Sequence, residues 1–219
     1  MSDIRGILFD VDGTLVDSGY LHAVAWWQAF RQQGFDVVMA DIHRAVGMGA
    51  DTIVPHLLGD DVDDDVADEL PAAHDAIYST WWPALRLLPG ARELVTHAHG
   101  AGLTTVLASS AAQREVNVVL RLLDVDDQLD HTTSSDDAGT SKPAPDLVQS
   151  ALQKADLAPD EAIFVGDAVW DVEASAKAGV RCIGLECGGT SASELREAGA
   201  VHTYKDCADL LAHWDEALG

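Results

Sequence analysis

The stretch I-R-G-I-L-F-D-V-D-G, Ile4 to Gly13, begins as an apolar run and stops on two aspartates and a glycine. A run this short with a polar stop reads as a buried strand that ends in a loop. The pattern recurs at Leu103 to Ala108 (L-T-T-V-L-A), Ala162 to Val165 (A-I-F-V) and Val180 to Leu185 (V-R-C-I-G-L), each bounded by Gly, Ser or Asp. Helix-period stretches separate them, at Ala91 to Ala101, Gln113 to Leu123, Asp146 to Ala155 and Asp171 to Ala178. Strands alternating with helices imply an α/β fold of parallel βαβ units with right-handed crossovers. Ligands of such sheets sit beyond the carboxyl ends of the strands, which makes Asp10, Ser109 and Asp167 the first candidates for a site.

One region breaks the alternation. From Gly19 to Leu88 helical patterns follow one another, at Tyr20 to Gln33, Ala40 to Val46, Ala50 to Leu58 and Val62 to Trp82, with no convincing strand pair. This predicts a helical insert over 19–88 in a core made of 1–18 and 89–219. The junctions fall at Asp17 to Gly19 and Leu87 to Gly90, where Pro89-Gly90 suits a hinge.

Composition excludes several functions. The 219 residues carry 37 Asp plus Glu against 13 Lys plus Arg, a formal charge of −24. Polyanion binding needs clustered cations, and the lysines are Lys142, Lys154, Lys177 and Lys205 alone, so neither nucleic acid nor an anionic membrane is expected as a partner. Cys182, Cys187 and Cys207 form no C-x-x-C pair, which indicates neither a disulfide framework nor a zinc knuckle and fits a reducing cytoplasm. Asp10 and Asp12 interrupt the first apolar run, so no signal peptide is expected. The longest stretch free of charged residues, Leu94 to Gln113, is too polar to span lipid. The acidic run Asp60 to Glu69 suits a solvated helix start better than a cation site.

The strand-end residues define the chemistry. Asp10 and Asp12, two apart at a strand end, can send both carboxylates to one side, and Gly13 permits a sharp turn. The same residues would also suit an Asx turn. Asp167 and Asp171 in V-G-D-A-V-W-D repeat the pattern of strand, Gly and carboxylates, although Asp167 alone could be a helix N-cap, as could Ser109. Lys142 lies in S-K-P-A-P-D, where the bland alternative is a surface lysine. Carboxylates converging on one point repel unless a cation joins them, and an all-oxygen shell suits Mg²⁺. One lysine and hydroxyl donors added to such a site make a pocket for a phosphoryl group. One of Asp10 and Asp12 can then attack phosphorus while the other handles protons.

F-D-V-D-G-T-L-V-D-S (Phe9 to Ser18), L-A-S-S-A (Leu107 to Ala111), S-K-P-A-P-D (Ser141 to Asp146) and V-G-D-A-V-W-D (Val165 to Asp171) resemble, in order and spacing, the four motifs of the haloacid dehalogenase-like hydrolases. The resemblance implies a Rossmann-like parallel-sheet core with an all-helical cap domain inserted after the first strand. It makes Asp10 the nucleophile that forms an aspartyl-phosphate and Asp12 the general acid and then base. Asp10, the carbonyl of Asp12 and Asp167 would hold Mg²⁺, with Asp171 in the outer shell or on a water. Ser109 would hydrogen-bond a phosphoryl oxygen and Lys142 would offset charge. Ser110 reads as a helix start and not as a second ligand. Where the family usually has Ser or Thr, this chain has Ala168.

The superfamily holds several activities. Asp12 argues against a metal-free dehalogenase, and a cap without lysine argues against an imine-forming phosphonatase. A mutase of β-phosphoglucomutase type shares S-K-P-A-P-D and a histidine at the place of His22, but must grip a second phosphate. Ala50 and Val46 stand where cations would do so, which leaves Arg44 or His43 as substitutes. The expectation is therefore a Mg²⁺-dependent phosphatase of a small phosphate ester, of sugar phosphate or phosphoglycolate type. A mutase is the first alternative and a catalytically silent binding protein the second. His22 is either a packing histidine or a positioning group near Asp12. Gly47, in the loop Gly47 to Gly49, is expected to touch substrate as the cap closes. Monomer and dimer both stay open.

Overall fold

The structure is a computed structural model that describes residues 4–59 and 62–218, with the side chains of Asp64 and Asp126 left out of the description. Asp60 and Asp61 of the acidic run lie outside the described residues. The core strands are β1 (Gly6–Phe9), β2 (Thr104–Ala108), β3 (His131–Thr133), β4 (Ala162–Gly166), β5 (Arg181–Leu185) and β6 (His202–Tyr204). All pair in parallel, in the order β3-β2-β1-β4-β5-β6. The insert contributes α1 (Gly19–Gln32), α2 (Met39–Ala45), α3 (Ala50–Leu58) and α4 (Asp64–Tyr78), followed by a 3₁₀ turn over Ser79–Ala84. Core helices are α5 (Ala91–Gly100), α6 (Gln113–Leu123), α7 (Asp146–Ala155), α8 (Val169–Lys177), α9 (Ala192–Ala198), α10 (Cys207–Ala212) and α11 (Trp214–Leu218). The α/β reading therefore holds, and the sheet is a Rossmann-like one.

Central strands of a parallel sheet are covered on both faces, which is why β1 and β4 read as unbroken apolar runs and are buried throughout. Ile7 and Phe9 face a cluster with Leu94, Val119 and Leu210 on one side, and Leu8 meets Val148 and Phe164 on the other. Burying each such side chain contributes roughly 1.5–3 kcal/mol. The edge strands β3 and β6 have three residues each, too few to show a periodicity, and they are absent from the sequence reading.

Register sets the position of the site. Phe9 lies opposite Leu107 on one side and Val165 on the other. Asp10, Ser109 and Asp167 consequently leave the sheet at about the same height. Strand order reverses between β1 and β4, the crevice in which such sheets bind ligands.

The insert packs its own core, with Trp26, Phe30, Ile42, Ile53 and Leu70 at its centre, while Ala25, Tyr78 and Leu85 join the cluster of the sheet. The expected helix from Val62 to Trp82 ends at Tyr78, since Pro83 lacks the donor that an α-helix would need and a 3₁₀ turn takes over. Asp63 caps the start of α4 by accepting the Asp65 N–H, in keeping with a solvated helix start for the acidic run. The two linkers between insert and sheet are hydrogen-bonded to each other, from Asp17 N–H to the Arg86 carbonyl and from Leu88 N–H to the Leu15 carbonyl, each at 2.9 Å. Gly90 takes φ +80° at the start of α5, where a Cβ would collide with the Ala208 backbone. Among the described residues no helix is long and apolar enough to cross a membrane.

Candidate active site

Asp10 and Asp12 follow β1, and Gly13 turns the chain with φ +88°. A Cβ on Gly13 would lie 2.5 Å from Asp167 Oδ2, so this glycine is what lets the β1 loop approach the β4 loop. Thr14 Oγ1 donates to Asp167 Oδ1 at 2.8 Å and orients that carboxylate. Asp167 is no N-cap, because α8 starts after Ala168 and the capping role falls to Asp171. Asp171 Oδ2 accepts the backbone N–H groups of Asp167 and Ala168 at 3.1 and 3.0 Å. The hydroxyl missing at Ala168 leaves this turn intact.

Lys142 is not a surface lysine. It is fully buried, and its Nζ donates to Asp10 Oδ1 at 2.5 Å and to Asp171 Oδ1 at 2.7 Å. Burial alone would make the ammonium easier to deprotonate, but the two carboxylates reverse this and hold its pKa above the ordinary lysine value. Asp10 is pushed up to about 7, first by burial and then by repulsion from Asp171, with Lys142 pulling the other way. Asp167 is raised well above the carboxylate range by burial and by Asp10 and Asp171.

One ammonium therefore faces three carboxylates, and oxygens of Asp10, Asp167 and Asp171 lie within 4.8 Å of one another. An all-oxygen donor set with excess negative charge fits a hard divalent cation such as Mg²⁺. Asp171 Oδ1 accepts from Lys142 and its Oδ2 from two backbone N–H groups.

Asp12 has different neighbours. Its Oδ1 accepts from Ser18 Oγ at 2.6 Å and from His22 Nε2 at 3.1 Å. Burial opposes its ionisation, but His22 and Ser18 prevail and hold its pKa below the usual value. His22 is lifted to about 10 by Asp12 and Glu115 in spite of burial. Both of its ring nitrogens then carry protons, and Nδ1–H donates to His74 Nε2 at 3.1 Å. His74 is pushed down to about 4 by burial, so it is neutral and can donate from Nδ1 to Asp75 Oδ1 at 3.2 Å. Asp75 in turn pairs with Arg114. His22 thus belongs to a relay from α1 through α4 to α6, and is not merely a packing histidine.

A cavity of about 370 Å³ opens between the insert and the sheet and is lined by Asp10, Asp12, His22, Gly47, Glu115 and Lys142, among others. Gly47, at φ +98°, sits against Ala168 and Trp170, and Gly49 approaches Ser141 so closely that a Cβ would collide with it. The expected loop thus meets both the cavity and the sheet domain. Ser109 is buried at the end of β2, where its Oγ accepts the Ala111 N–H at 3.1 Å and keeps its own proton to donate. Ser109 is not a cap, and Ser110 is not the helix start, because α6 begins at Gln113 after the N-cap Ala112. It is Ser110 that lines the cavity, with a buried and unpartnered Oγ.

Neither Arg44 nor His43 reaches this cavity. Arg44 pairs with Glu194 at 2.5 Å, and His43 stacks on Tyr20 with its Nε2 3.1 Å from the Gly188 carbonyl. Trp26 packs in the insert, stacks on His74 and also lines the cavity. The residues missed by sequence reasoning are His74, Asp75, Glu115 and Ser110. His74 and Asp75 lie inside α4 and Glu115 in the first turn of α6, all outside any motif, and only Ser110, inside L-A-S-S-A, had a local signal.

A family model described as a haloacid dehalogenase-like hydrolase matches residues 4–179. A phosphoglycolate phosphatase of Vibrio vulnificus is 30% identical over 194 residues, covering 85% of each chain. A phosphorylated carbohydrates phosphatase of Thermotoga maritima is 26% identical over 205 residues, covering 92% of this chain and 94% of that one. The crystal structure of a hydrolase from Pseudomonas syringae superposes with a TM-score of 0.93 at 32% identity, covering 98% of this chain and 100% of the other.

Proposed function

The chain belongs to the haloacid dehalogenase-like hydrolase family and is a phosphoric monoester hydrolase acting on a small phosphorylated metabolite; from that premise we propose that it works through Asp10 with Mg²⁺. The observation that carries this reading is Lys142, fully buried and shared between Asp10 and Asp171 beside Asp167. A lysine is buried at that cost where it has anionic groups to offset.

In this reading Asp10, the carbonyl of Asp12 and Asp167 would hold the metal, with Asp171 in the outer shell or on a water. Bound Mg²⁺ would offset charge on the phosphoryl oxygens and on the carboxylates around it. Asp10 attacks phosphorus and forms the aspartyl-phosphate, Lys142 offsets charge on both partners, and the Ser109 hydroxyl donates to a phosphoryl oxygen. Asp12, ionised in the resting site, passes the proton of the cationic His22 to the leaving alkoxide and afterwards takes one from the water that attacks the phosphoenzyme. The cationic His22, one hydrogen bond from Asp12, positions it and stores a proton beside it. Residues 19–88 act as a cap over the cavity, with Gly47 at its contact edge, and so exclude water from the phosphoenzyme.

The placement of Arg44 and His43 away from the cavity favours hydrolysis over a mutase, which would need a second phosphate-binding cation. The compartment in this reading is the cytoplasm. The test is phosphate release from a panel of esters with Mg²⁺, with EDTA and in Asp10→Asn. Metal-dependent release that Asp10→Asn abolishes is expected. Release indifferent to EDTA, or an Asp10→Asn variant as active as the wild type, would refute the proposal.

A further inference from the structure

Asp10 and Asp12 are not the cavity's only carboxylates; Asp51, Asp75 and Glu115 also line it, and among the described residues no arginine does. Asp75 is matched by His74 and Arg114, and Asp51 accepts the Ser141 N–H at 3.1 Å. Glu115 differs from both. It is only 6% exposed, sits in the first turn of α6, and its Oε1 accepts no hydrogen bond. The nearest cation, His22 Nε2, is 3.4 Å away and already donates to Asp12. Ser110 Oγ, just before α6 in the same wall, is likewise buried without a partner. Buried polar atoms in folded proteins are nearly always hydrogen-bonded, so orphans in the wall of a cavity are open to a donor or acceptor of a bound molecule.

We propose that the leaving group this cavity accepts is an uncharged polyhydroxylated one, a sugar or polyol, whose hydroxyls bond to Glu115 and Ser110, and that Glu115 turns away phosphorylated carboxylic acids. The proposal rests on the phosphatase reading and narrows its substrate class. A hydroxyl can donate to Glu115 Oε1, whereas a carboxylate has no proton to give and brings like charge against Glu115 where little water screens it. Nor would it meet the guanidinium fork that usually clamps a carboxylate, because the only lysine or arginine in the wall among the described residues, Lys142, is already held by Asp10 and Asp171. A site built to bond a hydroxyl discriminates strongly against analogues that lack it. A volume of about 370 Å³ is at the compact end for small-molecule sites and suits a single sugar. The chain is thereby set apart from the activity in the name of its Vibrio vulnificus relative.

The experiment measures kcat/KM with Mg²⁺ for 2-phosphoglycolate, 3-phosphoglycerate, glucose 6-phosphate, mannitol 1-phosphate and p-nitrophenyl phosphate. The wild type is expected to prefer the best sugar or polyol phosphate over either acid by about tenfold or more, the scale of one charge-assisted hydrogen bond. Glu115→Gln, which removes the charge and offers an N–H to a carboxylate, should narrow that ratio by about tenfold. Ser110→Ala is the second variant, expected to raise KM for the sugar phosphate by about fivefold and leave that for 2-phosphoglycolate unchanged. A wild type that prefers 2-phosphoglycolate overturns the proposal, as do a Glu115→Gln that lowers both substrate classes alike and a Ser110→Ala that raises both KM values alike. If Glu115→Gln does not fold, the wild-type ratio and Ser110→Ala decide. Failure to turn over any ester, p-nitrophenyl phosphate included, overturns the phosphatase reading and this proposal with it. Turnover of p-nitrophenyl phosphate with a preference for acids overturns the selectivity alone.

Discussion

Replacing Lys142 with methionine keeps a linear side chain and removes the ammonium from between Asp10 and Asp171. Breaking a buried ion pair by deleting one partner costs about 3–5 kcal/mol, because the remaining charge is left desolvated. In a chain of this length 1 kcal/mol moves the melting midpoint by about 2–4 °C, so the metal-free variant is expected to melt about 6–20 °C lower. The deficit should also depend on pH. The Asp10 pKa of about 7 lies above its ordinary value, so from about pH 4 to 7 the folded state holds a proton that the unfolded chain has released. Stability then falls as pH rises through that window, at up to about 1.4 kcal/mol per pH unit for one proton. In the wild type this loss ends near pH 7, where Asp10 ionises. Without Lys142 the Asp10 pKa climbs further, the loss continues past pH 7, and the deficit of the variant widens between pH 5 and 8. Melting followed by circular dichroism in EDTA across that range measures both effects, and Mg²⁺ should recover more stability in the variant than in the wild type. A deficit under about 1 kcal/mol, or one that shrinks as pH rises, would refute the account of a buried lysine that offsets the cluster.

Gly13→Ala forces a Cβ into a left-handed backbone against Asp167 Oδ2; a loss of about 1–2 kcal/mol and a higher Mg²⁺ requirement for phosphate release are expected from melts and metal titration. His22, with a folded pKa of about 10 against an ordinary 6.5, contributes stability that is complete below pH 6.5 and lost as pH rises to about 10. In His22→Asn that alkaline decline should vanish from the melting profile, and kcat should fall by about 10²-fold, the lower end of acid–base effects. Mg²⁺ at about 100 times its dissociation constant should stabilise the wild type by about 2.7 kcal/mol, or about 5–11 °C, and calorimetry of Asp167→Asn should show that gain lost.

Much of the molecule can be read along the chain because its main signals are local. The apolar runs that become β1, β2, β4 and β5 are continuous and end on polar residues, since strands covered on both faces need nothing else. Asp10, Asp12, Ser109, Lys142, Asp167 and Asp171 stand in short motifs at strand ends, and parallel register must bring such ends together. The helical insert declared itself by a change of period after Ser18. The edge strands β3 and β6 did not, being only three residues long with one buried position each.

The sequence by itself determined the α/β class, the insert and the carboxylates and lysine of the candidate site, because each depends on periodicity or on neighbours a few residues away. Only the tertiary structure decided that Lys142 is shared by Asp10 and Asp171, that His22 leads through His74 to Asp75, and that Glu115 Oε1 and Ser110 Oγ line the cavity without a hydrogen bond. Those relations join β1, α1, α4, α6 and α8 across as many as 132 positions, as Lys142 and Asp10 do. Their energies depend on burial and on distances of a few ångströms, which no local pattern of residue types encodes.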